Sequence, residues 1–348
     1  MDNITTMDNM LGVDVSKDNL VCALLESQTR KLLWSGSVPN TAKGIAQLLG
    51  YAPTPAAFVV EPTGRYSDLV VRGARAGGRT VLLAPPRRAK AFLASIQSRA
   101  KTDPLDGRGL ALFALSQPLR AFPIKSPVVE QIEQLLSARK GLSLSLTRLE
   151  MQRRELPHAA SVLEPAIAFL KASRATVDKQ IAALTKSAPE LSAAKSLQSV
   201  PGIGPVVAAS VAARLASRRF EHPDSFVAYV GLDISVRQSG KHSGQAGLKR
   251  QGDAELRRLL YLAAQANLRC KDPSNPFQLL YARERAKGLS STAALCVVAR
   301  KLAKLCWSLH RHQSVYDPSR VFEQGKRSPK PEQRGTEVYD KTKQQAIQ

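Results

Sequence analysis

The stretch from Leu11 to about Gln117 alternates strand-like and helix-like segments, and this alternation limits the possible fold more than any other feature. Its strand-like runs are short, apolar and bounded by turn residues. Three of them follow one another directly, before the order changes to helix, strand, helix, strand. This order predicts a mixed sheet with helices on both faces, within residues 1–125. The runs are LGVDV, LVCALLE, KLLWSGSV, AAFVVEP and TVLLAPP.

Four acidic residues accompany this predicted sheet. Asp14 lies inside the first run, Glu61 ends the fourth, and Asp103 and Asp106 begin a predicted helix at a spacing that puts both carboxylates on one face. Carboxylates gathered in one place repel one another unless they are protonated or bind cations. Two divalent ions would neutralise all four, and paired metals are how proteins cut and rejoin phosphodiesters. The acids therefore predict a divalent-metal site.

The case for a metal is strongest for Asp14 and Glu61, because a carboxylate in or after a buried strand is costly without a partner. Asp103 precedes Pro104, so it is equally explained as the cap of a helix. All four acids have an alternative as partners of nearby arginines and lysines. In that case the chain is a nucleic-acid-binding protein without catalytic activity.

The net charge of +23 predicts a polyanionic partner, because the excess of lysine and arginine extends along the whole chain. Arg87 and Arg88, after Pro85 and Pro86, are candidates for contacts with a nucleic-acid backbone, although a solvated helix start explains them as well. No apolar run approaches the roughly 20 residues that span a bilayer, and no signal peptide is evident. We therefore expect a cytoplasmic protein that does not bind membranes.

Residues 126–198 carry long helical patterns rich in leucine and alanine, interrupted near Pro157 and Pro165. They predict an antiparallel, coiled-coil helical hairpin. Its apolar stripe either closes on itself or packs against a second subunit.

Residues 199–316 predict a mainly helical domain that begins with a glycine turn. Gly202 and Gly204 in SVPGIGPVV resemble the turn of a helix-hairpin-helix, in which backbone N–H groups face a phosphate. The alternative is a tight turn between helices that needs glycine for a positive φ. Residues 317–348 are polar and predict a mobile tail without a functional site.

A basic loop rich in glycine extends from Gly231 to Gly252 and leads into a helix beginning near Asp253. Glycines let the backbone approach DNA closely, cations hold phosphates, and the loop also contains the hydroxyls of Ser235, Ser239 and Ser243. A serine nucleophile needs a base or a metal nearby, so incidental serines in a binding loop are the alternative. The candidate cations of the loop and helix are Arg237, Lys241, Lys249, Arg250, Arg257 and Arg258.

Together, Asp14, Glu61, KTDPLDGR and GLDISVRQSG resemble the DEDD recombinases of bacterial insertion sequences of the family numbered one hundred and ten, relatives of pilin-gene invertases. The resemblance extends to about residue 314 in matching order: a RuvC-like (ribonuclease H-like) domain, a coiled-coil hairpin, and a transposase domain with a helix-hairpin-helix. The family pattern GLxPxxxxSG aligns its catalytic serine with Ser239. Ile234 stands at its proline, Lys241 replaces a frequent glycine, and Arg250 a frequent lysine.

The resemblance implies a transposase that recombines DNA at specific sites. Asp14, Glu61, Asp103 and Asp106 would bind Mg²⁺ or Mn²⁺, and Ser239 would form a covalent phosphoserine with DNA. It also implies a structured guide RNA, the bridge RNA, that pairs with donor and target DNA. The protein would form homodimers that join into a tetramer, with active sites completed across subunits. The alternative within enzymes is a structure-selective endonuclease that uses metal and water alone.

Overall fold

The computed structural model describes most of the chain and divides it into two compact units, Met1–Ile124 and Lys125–Gln348. For residues 103–106, 235, 238–239 and 242–243 it describes the backbone alone. The residues described are 7–52, 54–64, 66–96, 103–123, 125–235, 238–239, 242–243, 247–248, 251–270, 272 and 275–321.

Within the described residues, the first unit contains a six-stranded sheet in the order β3-β2-β1-β4-β5-β6. The first three strands pair in antiparallel fashion, β1 pairs parallel with β4, and β4 pairs parallel with β5. The predicted mixed sheet is confirmed. Its strands are β1 Asn9–Val15, β2 Asn19–Glu26, β3 Leu32–Pro39, β4 Ala56–Val60, β5 Thr80–Leu83 and the antiparallel edge strand β6 Arg120–Ala121.

Helices cover both faces of this sheet, and each face has its own core. One core joins Leu11, Val13 and Phe58 of the strands to α1 and α2, and the other joins Met10 and Val59 to α3 and α4. The division follows from the strand period, since successive side chains point to opposite faces. The helices are α1 Ala42–Tyr51, α2 Tyr66–Ala76, α3 Pro86–Ile96 and α4 Asp103–Ser116.

The second unit begins with two long helices, α5 Pro127–Glu155 and α6 Ala160–Ser187. Ser126 caps α5 by accepting a hydrogen bond from the Val129 N–H, and the helix ends just before Pro157. Ion pairs between the helices join positions that rise along α5 and fall along α6, so the two are antiparallel. The pairs are Arg139–Asp178, Glu150–Lys171 and Arg153–Glu164.

The rest of the second unit is mainly helical, as the sequence predicted. One apolar core connects the amino-terminal part of α5 and the carboxyl-terminal part of α6 with the six following helices. It extends beyond the start of the predicted tail, because Val321 is 3% exposed and packs into it. The helices are α7 Ala193–Leu197, α8 Pro205–Ser217, α9 Pro223–Val230, α10 Ala254–Leu268, α11 Pro276–Ala286 and α12 Ser291–His312.

Short strands follow α9 within the basic, glycine-rich loop that the sequence predicted. Ile234–Ser235 (β7) pairs with Gly247–Leu248 (β10), and Gln238–Ser239 (β8) pairs with His242–Ser243 (β9), both antiparallel. We call residues 232–251 the serine loop. Its described segments form two separate antiparallel pairs, in one of which Ser239 pairs with His242.

Candidate functional site

Asp14 and Glu61 lie side by side where β1 and β4 end. The register of these parallel strands pairs Val13 with Val60, so the next residues, Asp14 and Glu61, are at the same level. Met10 and Val59 belong to the core beneath α3 and α4. By the alternation of side chains, Asp14 and Glu61 point to that same face. Both residues are half-buried.

Helix α4 rests directly on β1, at a contact between two glycines. A Cβ on Gly12 would overlap the carbonyl oxygen of Gly107 and lie 2.6 Å from the Ala111 nitrogen. A Cβ on Gly107 would lie 3.0 Å from the carbonyl oxygen of Val21, the residue paired with Asp14. No side chain separates helix from sheet here, so the backbone of α4 is fixed close to β1.

The direction of α4 brings its first turn towards the two acids. Gly107 lies against Val21 and Cys22 of β2, and Val21 is the residue paired with Asp14. The residues of α4 that precede Gly107 are therefore near the carboxyl end of β1. Asp103 and Asp106 are in that first turn by their backbone, and their side chains lie outside what the structure describes. We call the ends of β1 and β4 with the start of α4 the acid edge.

The chemistry of the acid edge fits a divalent cation of the magnesium type, since carboxylate oxygens are the ligands that such hard cations prefer. Among the described side chains, no group of three histidines, cysteines or acids stands close enough to hold a metal. Asp14 and Glu61 supply two candidate ligands, and Asp103 and Asp106 would supply the others. Burial, and after it the negative charge of Asp14, raises the pKa of Cys22 to about 12.

Arg87 and Arg88 begin α3, directly after β5. Because β5 is parallel to β4 and pairs Leu83 with Val60, these arginines follow the same edge of the sheet as Glu61. Both are exposed. Arg88 donates to the Gln117 side chain and lies 5.9 Å above the ring of Phe113, which holds it in place. Both arginines thus follow the strand next to Glu61, and contacts with the end of α4 hold Arg88.

In the serine loop, the backbone of Ser239 pairs with that of His242. The Ser239 side chain is outside the described part of the structure, as are Arg237, Lys241, Lys249 and Arg250. For the loop itself, the structure therefore reports backbone pairing and no side-chain chemistry.

The two arginines after the loop make different contacts. Arg257 donates from Nη1 to the Val230 carbonyl at 2.9 Å, at the end of α9. Arg258 donates twice to Glu255, at 3.1 and 2.5 Å, and remains about half exposed. These hydrogen bonds to Arg258 are the main reason why the pKa of Glu255 is lowered. Arg258 is available to solvent, whereas Arg257 is engaged with backbone.

The glycine turn before α8 packs against α10. Gly202 has a φ of +80°, and a Cβ there would overlap the Ala263 carbonyl and lie 2.9 Å from the Asn267 nitrogen. The Asn267 side chain donates to the Pro201 carbonyl at 2.6 Å. Gly204 caps α8 and has open space around it. Packing alone accounts for Gly202, and the phosphate contact of this turn stays a prediction.

Two family profiles match the chain in separate segments. Residues 194–278 match a profile described as "Transposase IS116/IS110/IS902 family", and residues 11–156 match one described as "Transposase". The first covers the serine loop and the second the acid edge. The chain belongs to the IS110/IS116/IS902 transposase family.

The chain is also similar to individual proteins and to solved structures. A 42 kDa protein of insertion element IS900 from Mycobacterium paratuberculosis is 25% identical, covering 88% of this chain and 97% of its own length. The pilin gene-inverting protein of Moraxella bovis is 23% identical with the same two coverages. Among solved structures, RuvC of Thermus thermophilus is similar to 33% of this chain at 15% identity, covers 99% of its own chain, and has a TM-score of 0.28.

Membership identifies an enzyme that cuts and rejoins DNA and depends on divalent metal. The alternative of a nucleic-acid-binding protein without catalysis is therefore excluded. None of the helices in the described parts of the transposase is long and apolar enough to cross a membrane.

Sequence analysis missed the residues that support each of these two sites. Gly12 and Gly107 gave no signal beyond being glycines, because their importance lies in a contact between distant segments. Arg214, which pairs with Asp253 at the end of the serine loop, sits in an ordinary helical run. Asp253 was visible only as a helix start.

Proposed function

We propose that this transposase recombines DNA at specific sites through a phosphoserine on Ser239, assisted by divalent cations held at the acid edge. The observation that carries the proposal is the placement of Asp14 and Glu61 at one level of adjacent strands, with the first turn of α4 at the same end of β1. The assignment to a RuvC-like fold belongs to this proposal.

Asp14, Glu61, Asp103 and Asp106 hold the cations in this proposal. When bound, the cations would supply electrostatic stabilisation of the charge that develops on the phosphoryl oxygens during strand cleavage. The protein supplies rigidity. Asp14 and Glu61 stand at the ends of paired strands, so their backbone positions are fixed before DNA binds, and the other two acids begin a helix whose backbone touches the sheet.

Ser239 is the nucleophile in this proposal. Its oxygen forms a bond to a DNA phosphorus while the bond from that phosphorus to one deoxyribose oxygen breaks. The serine proton leaves with the attack, and the departing sugar oxygen takes up a proton. Rejoining reverses both exchanges with the hydroxyl of another strand and releases Ser239 unchanged. The match of GLDISVRQSG to the family pattern supports this choice of serine.

The remaining predicted residues bind nucleic acid in this proposal. Arg87 and Arg88 lie exposed after the strand next to Glu61, and Arg258 lies exposed on α10. Cations at these positions neutralise phosphates without reading sequence. The other members of the set are Arg237, Lys241, Lys249, Arg250, Gly202 and Gly204.

Replacement of the nucleophile tests this proposal. A supercoiled plasmid that carries the DNA flanking this gene serves as substrate, with full-length protein purified from cells that also carry that DNA. Ser239→Ala removes the nucleophile, so we expect no denaturant-stable protein–DNA adduct and no recombination. Ser243→Ala, in the same serine loop, serves as control and should retain both adduct formation and recombination. Strand cleavage that persists in Ser239→Ala without an adduct would identify water as the nucleophile and establish the metal-only endonuclease.

We also propose that a structured guide RNA pairs with donor and target DNA on this protein. The net charge of +23 supports a large polyanionic partner, and RNA is one. Sequencing of the nucleic acid that copurifies with the protein should recover one discrete RNA from the flanking DNA. Random fragments in proportion to cellular abundance would overturn the guide.

A homodimer, which pairs further into a tetramer on DNA, belongs to the same proposal. The carboxyl-terminal half of α5 and the amino-terminal half of α6 support it, because they expose large apolar side chains that the hairpin itself does not bury. Val162 and Phe169 are 76% and 71% exposed. Replacing both with glutamate should convert a dimer to a monomer in light scattering, whereas the exposed control Lys179→Glu should not. A wild-type monomer on and off DNA would contradict the proposal.

A further inference from the structure

The two ends of the serine loop meet in one tight contact, which we call the loop base and which consists of residues 229–231 and 251–253. Gly231 and Gly252 have φ values of +78° and +132°. A Cβ on Gly252 would overlap the Tyr229 carbonyl and lie 3.0 Å from the Gly231 nitrogen. The Asp253 N–H donates to that same carbonyl at 2.8 Å. The two backbones are therefore in direct contact, with no room for side chains between them.

Arg257 closes the loop base from the α10 side. Its Nη1 donates to the Val230 carbonyl at 2.9 Å, and a Cβ on Gly231 would overlap that same nitrogen. Val230 is the last residue of α9. The guanidinium thus satisfies a carbonyl at the end of α9, a group that helical hydrogen bonding leaves open, and fits only because residue 231 has no side chain.

Arg214 closes the loop base from α8. Its Nε donates to Asp253 Oδ2 at 3.0 Å, and their side chains are only 13% and 15% exposed. The other carboxylate oxygen of Asp253 accepts from the Leu256 N–H at 2.9 Å, which caps α10. A single aspartate thus fixes the end of the serine loop to two helices, through a charged bond removed from solvent.

Small movements at the loop base would be magnified at Ser239. The chain from Gly231 to Ser239 rises about 3.3 Å per residue where it is extended, so its reach is at most about 26 Å. A tilt of about 3° at the base would move the tip of such an arm by about 1.4 Å. A displacement of about 1 Å in an active site costs on the order of 100-fold in rate.

We propose that Arg214 and Arg257 are positioning residues that hold the loop base rigid and thereby place the Ser239 hydroxyl, without contacting nucleic acid. The proposal rests on the proposed role of Ser239. It moves Arg257 from the predicted phosphate contacts to the support of the loop, because its guanidinium is engaged with the Val230 carbonyl.

Conservative variants separate positioning from DNA contact. Arg214→Lys and Arg257→Lys keep the positive charge but lose the planar, multiply donating guanidinium. Arg269→Lys, on the exposed end of α10, is the matched control. On the flanking-DNA plasmid, single-turnover adduct formation should slow at least about 100-fold in the first two variants. Plasmid affinity and its salt dependence should match those of the control.

Two results would overturn the proposal. The first is adduct formation at the wild-type rate in both variants. The second is a loss of plasmid affinity that accounts for the whole loss of rate. If the slope of log affinity against log salt concentration also falls by about one unit, the arginine contacts a phosphate. Circular dichroism checks folding, and Arg257→Lys decides the question if Arg214→Lys does not fold.

Hydrogen exchange supplies a readout that does not depend on the nucleophile. In both variants the Asp253 amide should exchange at least about 10-fold faster, because its hydrogen bond to the Tyr229 carbonyl opens more often. In Arg269→Lys the exchange rate of this amide should be unchanged. Unchanged exchange would contradict a rigid base held by these arginines. If exchange rises as expected but even the wild-type protein forms no adduct, the role of Ser239 fails while the support of the loop by the two arginines stands.

Discussion

The acid edge and the serine loop hold their predicted catalytic groups in opposite ways. At the acid edge, Asp14 and Glu61 follow directly on paired strands of a sheet covered on both faces. In the serine loop, the backbone of Ser239 pairs with His242, between the end of α9 and the start of α10. The first arrangement holds its groups through a sheet packed on both faces, whereas the described contacts of the second are short backbone pairings and the contacts at its base.

This difference matches two chemical demands. Charged ligands for a cation must hold their spacing against mutual repulsion, and a sheet edge resists that force over several strands. A nucleophile that bonds to DNA and later releases it needs reach, which a loop between two helices can supply. Contacts at the acid edge should therefore govern metal binding and stability, and contacts at the loop base should govern the rate of strand transfer.

The largest effect is expected at the acid edge itself. Asp14→Asn and Glu61→Gln remove a charged ligand each, so strand cleavage should fall on the order of 1,000-fold, as when a charge-stabilising group is lost. The rise in melting temperature that Mg²⁺ or Mn²⁺ causes in wild-type protein should also disappear, because that rise requires binding to the folded state.

Asp18→Asn is the control, since Asp18 is exposed in the turn between β1 and β2. It should leave both cleavage and the metal-induced stabilisation intact. A full metal-induced rise in the Asp14 and Glu61 variants would place the cation elsewhere and break the comparison.

A second prediction concerns the glycine contact below the acid edge. Gly12→Ala would force the new methyl group into the Gly107 carbonyl, so the free energy of unfolding should fall by about 1–3 kcal/mol or more. Gly50→Ala, in α1 with open space around it, should instead raise it by about 0.5–1 kcal/mol. Chemical denaturation of both variants measures the contrast. A stable Gly12→Ala would mean that α4 can move away from β1.

The smallest predicted effect lies at the far end of α9, the helix that leads to the serine loop. Asp224 accepts from Lys304 of α12 at 2.6 Å, and this hydrogen bond is the main cause that lowers the Asp224 pKa below its usual value of 3.8. A lowered folded-state pKa adds stability above the unfolded pKa, and this stability is lost as pH falls through the folded value. The contribution should be below about 1 kcal/mol, because the pair is half exposed and screened.

Asp224→Asn measures this contribution. At pH 7 the variant should lose the small stabilisation that the Asp224–Lys304 pair contributes. Its free energy of unfolding should also depend less on pH below about 4. Adduct formation should keep its wild-type rate, since this contact is remote from the loop base along α9. A large loss of rate would show that a change at the start of α9 reaches the serine loop. The loop base would then not be the only part of the second unit that controls the rate.

The sequence predicted the mixed sheet because its strands are short apolar runs bounded by turn residues, and such patterns are local. It also predicted the two long helices of the hairpin, but it placed an interruption near Pro165, which lies inside α6. It predicted a basic loop rich in glycine without indicating the paired strands within residues 234–248, because runs of two residues are too short to show alternation. The roles of the individual site residues, the RNA and the subunit number stay predictions.

By itself, the sequence determined the classes of chemistry that this protein can hold: carboxylates after buried strands, a basic loop with serines, and a large positive charge. Only the tertiary structure decided which of these groups become neighbours. The register of β1 and β4 aligns Asp14 with Glu61, and the contact of Gly12 with Gly107 directs α4 towards them. Arg257 likewise became a support of the loop only once the chain had folded. Such contacts join residues far apart in sequence, and their energies depend on distances that no local pattern specifies.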